Sequence, residues 1–123
     1  MKLKLAVVTL WAEDANRAAD FYRDVLGLSL LTIDRGRPHF DLGGAYLVIL
    51  PGRPHKLEDS TQPRFPVLAF AVDDLNEAIH QLKSQGVEMP WGVEEDSDSH
   101  WVMFNDPGGN LLEIAQFGNK HNV

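Results

Sequence analysis

The chain repeats itself, and no other feature constrains its fold as much. Val8-Thr9-Leu10-Trp11-Ala12-Glu13-Asp14 aligns with Leu68-Ala69-Phe70-Ala71-Val72-Asp73-Asp74 at a fixed offset. At that offset Asn16 falls on Asn76 and Ala18 on Ala78, and the turn at Gly43-Gly44 has its counterpart at Gly108-Gly109. A repeat of this length means two copies of one supersecondary unit. One copy is too small to bury its own sheet. Two copies, or four in a dimer, are expected to close concave mixed sheets around a shared cavity, with the helices outside.

Each copy reads as strand-helix-strand-strand-strand. In the first, Leu3 to Trp11 predicts a strand with Val7, Thr9 and Trp11 on one face and Ala6, Val8 and Leu10 on the other. Asp14 predicts the cap of a helix that runs to Leu26 and ends at Gly27, with Ala18, Phe21, Tyr22 and Val25 as its apolar stripe. Leu28 to Ile33, His39 to Leu42 and Ala45 to Leu50 predict three strands, the last two joined at Gly43-Gly44. In the second copy, Val67 to Val72 predicts a strand and Asp73-Asp74 a cap. Leu75, Ala78, Ile79 and Leu82 have helical spacing, and Gly86 closes that helix. Val87 to Pro90 is expected to begin another strand, Glu94 to Ser99 to be a solvated acidic loop, and Trp101 to Phe104 and Leu111 to Phe117 to form a hairpin. The stretch 51–65 is proline-rich and polar and reads as a linker. The expectation is one α+β domain over 1–123, built of βαβββ units 1–50 and 66–118.

Composition narrows the function. A chain of 123 residues with 44% hydrophobic content is long enough for a real core. It has no cysteine, hence no disulfide framework, thiolate metal site or thiol nucleophile. A formal net charge of −7 argues against nucleic acid, which needs a basic footprint, and is compatible with a cationic small ligand. No run approaches the roughly 20 apolar residues of a membrane span. The start of the chain lacks a signal peptide's long apolar region, so a cytoplasmic protein is expected.

Three patterns follow one another: Asp14…Phe21-Tyr22…Leu26-Gly27-Leu28, then Phe70-Ala71-Val72-Asp73-Asp74-Leu75 with Gly86-Val87, then Asn105-Asp106-Pro107-Gly108-Gly109-Asn110-Leu111-Leu112-Glu113. In this order and spacing, over nearly the whole chain, the sequence resembles the vicinal oxygen chelate superfamily. That group includes glyoxalase I, bleomycin-resistance proteins, extradiol dioxygenases and fosfomycin-resistance thiol transferases. Its metal enzymes place ligands in the first and last strands of each unit. The resemblance carries those positions onto Val7, Val67, Val48 and Glu113, and only Glu113 is a ligand type. A divalent site of this kind needs three or four N/O ligands. His55 lies in the linker, His121 in the tail and His80 off its helix stripe. His39 and His100 lie in strands near the cavity, His100 pointing away. No metal and no other cofactor is therefore expected. The resemblance also implies a homodimer.

By strand alternation the expected pocket walls are Val7, Thr9, Trp11, Tyr46, Val48, Val67, Ala69, Trp101, Met103, Leu111 and Glu113. Such walls suit a flat, partly apolar ligand that stacks on tryptophan and brings a cation or donor to Glu113. Trp11 and Trp101 could equally fill a core, an ordinary use of aromatic side chains on a sheet, and Thr9 reads first as a good strand residue. For Glu113 three readings stand: an ion pair, a contact to a ligand amine or amide, or a general base whose pKa is raised by apolar surroundings. The function expected is a metal-independent small-molecule binding protein of the bleomycin-resistance type, holding an apolar, aromatic or cationic ligand, antibiotics among the candidates. The alternative is a glyoxalase-like lyase or dioxygenase-like enzyme with an altered site using Glu113.

Overall fold

The computed structural model describes residues 1–53 and 66–118, so most of the expected linker and the end of the tail lie outside the described residues. The fold is α+β. The chain divides into two compact units, Met1–Lys56 with Asp106–Asn110, and Leu57–Asn105 with Leu111–Val123.

Unit 1 runs β1 (Val7–Ala12), α1 (Ala15–Asp20), a π-helical turn (Phe21–Val25), β2 (Leu30–Asp34), β3 (Arg37–Asp41) and β4 (Tyr46–Pro51). The sheet order is β1-β4-β3-β2. β1 lies parallel to β4, and the other neighbours are antiparallel. Asp14 caps α1 by accepting the Arg17 N–H at 3.0 Å. The helix packs across β4, β3 and β1. Ala18, Ala19 and Tyr22 are buried on its side of the sheet, with Ala12, Phe40, Leu47 and Ile49. Period-two alternation explains the sorting: Phe40 pairs with Leu47, so both point to the same face, and Ile49 follows two residues on.

Unit 2 repeats the plan with β5 (Leu68–Ala71), α2 (Leu75–Ser84), β6 (Glu94–Glu95), β7 (Ser99–Asn105) and β8 (Leu111–Phe117), in the order β5-β8-β7-β6. Asp74 caps α2 by accepting the Glu77 N–H at 3.1 Å. α2 packs on β8 and β7, and Leu75, Leu82, Val102, Phe104, Leu112 and Ile114 are buried. Gln116 adds a tether, its Oε1 accepting the N–H of Leu75 at 2.9 Å.

Four expectations need correction. The first strand starts at Val7 and not at Leu3; Leu3 and Leu5 are 86% and 67% exposed. β4 begins at Tyr46, opposite Val7, so residues before Ala6 lie beyond its end and pair with no strand among the described residues. The first helix does not stay α-helical to Leu26 but widens into the π-turn at Phe21, where the Leu26 N–H reaches the Phe21 carbonyl. No strand begins over Val87–Pro90. The short strand instead lies in the acidic stretch, where Glu94 pairs with Trp101 and Glu95 with His100. The rest of that stretch is ordered too: Asp96 Oδ1 accepts from the N–H of Asp98 and from the N–H and hydroxyl of Ser99.

Candidate functional site

In each unit the helix covers one sheet face, and the sequence-predicted site residues lie on the other. In unit 1 that open face carries Val7, Thr9 and Trp11 from β1, Tyr46 and Val48 from β4, and His39 from β3. Val7, Trp11 and Tyr46 are about half exposed, at 49%, 45% and 51%, whereas Val48 is buried. In unit 2 the open face carries Ala69 from β5, Leu111 and Glu113 from β8, and Trp101 and Met103 from β7. Val67 lies just before β5. Every expected wall residue within a described strand thus falls on its unit's open face.

The register refines which residues are neighbours. Val48 sits between Thr9 and His39, not beside Val7. Glu113 sits between Ala69 and Met103, not beside Val67. The two rows correspond: Thr9-Val48-His39 in unit 1 and Ala69-Glu113-Met103 in unit 2. His39 is the side chain that alternation alone left unassigned. Phe40 next to it faces the helix, which turns His39 to the open face, and its Nδ1 is buried with no hydrogen-bond partner among the described residues. Trp101 Nε1 is in the same condition on the unit 2 face.

Glu113 is half-buried. Among the described residues the ion pairs are Arg23–Asp20, Arg23–Asp24, Arg37–Asp34 and Arg53–Glu13, and none includes Glu113. Its charged neighbours are acidic. Burial first, then the carboxylates of Glu94 and Asp96, hold its carboxyl above the usual glutamate range. A carboxylate kept this way favours either a proton or a cation from outside.

The donor set does not fit a divalent metal of the superfamily type. Val48 supplies no ligand, and the cross-strand neighbours of Glu113 are an alanine and a methionine. Among the described residues no group of three or more His, Cys, Asp or Glu side chains is placed to hold a metal ion. A cleft of about 270 Å³ in unit 1 lies at the turn end of the sheet, lined by Lys4, Ala6, Asp41, Gly44, Ala45 and Tyr46. Of the expected wall residues it takes in Tyr46 alone.

The stretch before Glu113 has its own role. Tyr22, fully buried at the π-turn, donates its hydroxyl to Asp106 Oδ2 at 2.5 Å. Burial, and then the Asp106 carboxylate, push the phenol far above its ordinary value, so it stays protonated. Asp106 also accepts the Asn110 N–H at 2.8 Å and its Nδ2 at 2.9 Å. Asn110 Nδ2 in turn donates to the Trp11 carbonyl at 2.8 Å. Neither Asn110 nor Gly52, which underlies the Trp11 ring, carried a sequence signal for this: their roles depend on close approach between segments far apart in the chain.

No described helix is long and apolar enough to cross a membrane. Comparison with known proteins adds three likenesses. The Escherichia coli (strain K12) protein YaeR, itself uncharacterised, is 29% identical over 119 residues, covering 89% of this chain and 92% of YaeR. The metallothiol transferase FosB of Staphylococcus haemolyticus is 26% identical over 116 residues, covering 87% of this chain and 78% of FosB. The crystal structure of TnmS3, an antibiotic binding protein from Streptomyces sp. CB03234, matches the fold with a TM-score of 0.75 at 22% identity, over 95% of this chain and 98% of that one. The family model for the Glyoxalase/Bleomycin resistance protein/Dioxygenase superfamily matches residues 4–114, and with the two βαβββ units this places the chain in that superfamily.

Proposed function

We propose that the protein is a metal-independent small-molecule binding protein of the bleomycin-resistance type. Its ligand is flat, largely apolar and cationic, and its charge is met by Glu113 on the open face of unit 2. We further propose that it works as a cytoplasmic homodimer. The observation that carries the reading is Glu113: a half-buried carboxylate with acidic neighbours and no cation among the described residues to meet it. A ligand amine or ring cation would relieve that imbalance. On the open face of unit 1, the exposed aromatic side chains of Trp11 and Tyr46 offer stacking surface of their own. TnmS3 gives a precedent for antibiotic binding on this fold.

One observation favours a second reading. A carboxyl held above its usual range suits a general base, and FosB shows that transferase chemistry occurs in a relative. In that case Glu113 would serve a glyoxalase-like lyase or dioxygenase-like enzyme with an altered site.

Titration with N-methylacridinium, a flat monocation, tests the first reading through quenching of tryptophan fluorescence. Saturable quenching is expected, with none from a neutral acridine of the same shape at equal concentration. Equal quenching by both rings would remove Glu113 from the account. Elemental analysis of protein purified without chelator separates the readings: a stoichiometric transition metal would overturn the metal-independent one.

A further inference from the structure

We propose that Trp11 is a preset stacking platform for a planar aromatic ring, and that Gly52 and Asn110 are the residues that set it. The proposal rests on the small-molecule binding reading above and deepens it by naming the group that the unit 1 face takes.

Three contacts converge on Trp11. Gly52 follows β4, donates its N–H to the Ala12 carbonyl at 3.0 Å and has a φ of +154°. A Cβ on Gly52 would lie 2.9 Å from Cε3 and 3.5 Å from Cζ3 of Trp11, so the benzo edge of the indole rests on bare backbone. Asn110 Nδ2 holds the Trp11 carbonyl, and Asn110 is itself held by Asp106. A Cβ on Gly108 would lie 2.8 Å from the Trp11 carbonyl oxygen and 2.9 Å from Ala12 Cβ, so the turn packs against the end of β1 with no room to spare. Both ring and backbone of Trp11 are therefore fixed from within unit 1, yet 45% of the residue stays exposed.

That combination distinguishes Trp11 from the other indoles. Trp91 is 56% exposed, and Trp101 has its Nε1 buried without a hydrogen-bond partner among the described residues. An exposed indole ordinarily loses rotamer freedom when a ligand stacks on it. A ring already held in one rotamer avoids that ordering cost. The electron-rich face of an indole favours an aromatic ring, above all a cationic one. Gly52 and Asn110 touch Trp11 and act through it, so they are positioning residues. The competing reading is that these contacts merely pin the end of β1.

Labelling with 5-fluorotryptophan distinguishes the two. The chain has three tryptophans, so three ¹⁹F resonances arise, and Trp11→Phe identifies the one that belongs to Trp11. In the free protein, Gly52→Ala is expected to shift and broaden the Trp11 resonance while leaving those of Trp91 and Trp101 in place. It is also expected to weaken N-methylacridinium binding about fivefold, the size of ordering one large side chain. Asn110→Ala, which leaves the ring's glycine bed intact, is expected to move the same resonance less, and it decides the matter should Gly52→Ala not fold. A folded variant with an unmoved Trp11 resonance overturns the positioning. A moved resonance with unchanged affinity overturns the platform. Failure of the unmodified protein to bind N-methylacridinium overturns the underlying binding reading, and is told apart because the spectra of the free protein do not depend on it.

Discussion

The two units have nearly the same helix-facing surface and quite different open faces. Phe40, Leu47 and Ile49 of unit 1 correspond to Phe104, Leu112 and Ile114 of unit 2, and all six are buried. Between them lie Val48 in one unit and Glu113 in the other, with Thr9 against Ala69 and His39 against Met103. The helix-facing positions gain roughly 25 cal/mol per Å² of apolar surface removed from water, so any polar replacement there is costly. The open faces are less completely buried, with Val7, Trp11 and Tyr46 about half exposed. Unit 1 presents neutral and aromatic groups, and unit 2 presents a carboxylate flanked by acids. The scaffold repeats, and the chemistry lies in the differences.

The sharpest structural contrast is between the two glycine-pair turns. At Gly43-Gly44, Asp41 Oδ1 accepts one N–H, from Gly43, and Asp41 is exposed. At Gly108-Gly109, Asp106 is 4% exposed and accepts from Tyr22 and twice from Asn110. Asp106→Ala leaves a buried phenol unpaired and is expected to cost about 3 kcal/mol in urea denaturation. Asp41→Ala is expected to stay within about 0.5 kcal/mol. Equal losses would mean that the Asp106 turn is no more than a connection. The phenol adds a signature at high pH. Its folded value is raised, so its contribution is complete below the ordinary tyrosine value, about 10, and is lost as pH rises above it. Tyr22→Phe should flatten that alkaline loss.

Next in size are the helix caps. Asp14 and Asp74 each accept one backbone N–H, at 3.0 and 3.1 Å, at matching positions of the repeat. Alanine at either is expected to cost about 1 kcal/mol, measured the same way. A much larger loss at one cap would show that the units are unequal in their scaffold as well as in their open faces.

How far the sequence predicted this follows from what each feature depends on. The repeat, both caps, the helix ends at Gly27 and Gly86 and the sorting of β7 and β8 are local patterns, and they were legible. Lys2-Leu3-Lys4-Leu5 alternates as a strand should, yet a strand needs a partner, and β4 begins too late to give one. Glu94-Glu95 reads as a solvated loop, but pairing with Trp101 and His100 draws it into the sheet. Alternation placed the wall residues by face and could not supply the register, which put Thr9 and His39, not Val7, beside Val48. Gly52 and Asn110 were invisible because a bare Cα or a side-chain amide acquires its role only when Trp11 arrives beside it.

The smallest expected effect bears most directly on the unit 2 face. Burial and the nearby acids raise the Glu113 carboxyl, so the folded protein holds that proton to higher pH than the unfolded chain does. Its contribution to stability is then complete below the ordinary glutamate value, about 4.3, and is lost as pH rises through the raised one. Glu113→Gln removes the loss. The variant is expected to be more stable than the natural sequence at neutral pH by about 0.5 kcal/mol, a small gain because water reaches the group and screens it. That gain should vanish in thermal melts below the ordinary glutamate value. At neutral pH the same variant is expected to bind N-methylacridinium about tenfold more weakly, ~1.4 kcal/mol. Stability and binding then move in opposite directions, as they must for a charge kept for something outside the chain. A Glu113→Gln variant less stable at neutral pH would instead place a cationic partner beside Glu113 within the folded protein, and the carboxylate of unit 2 would be as structural as the valine of unit 1.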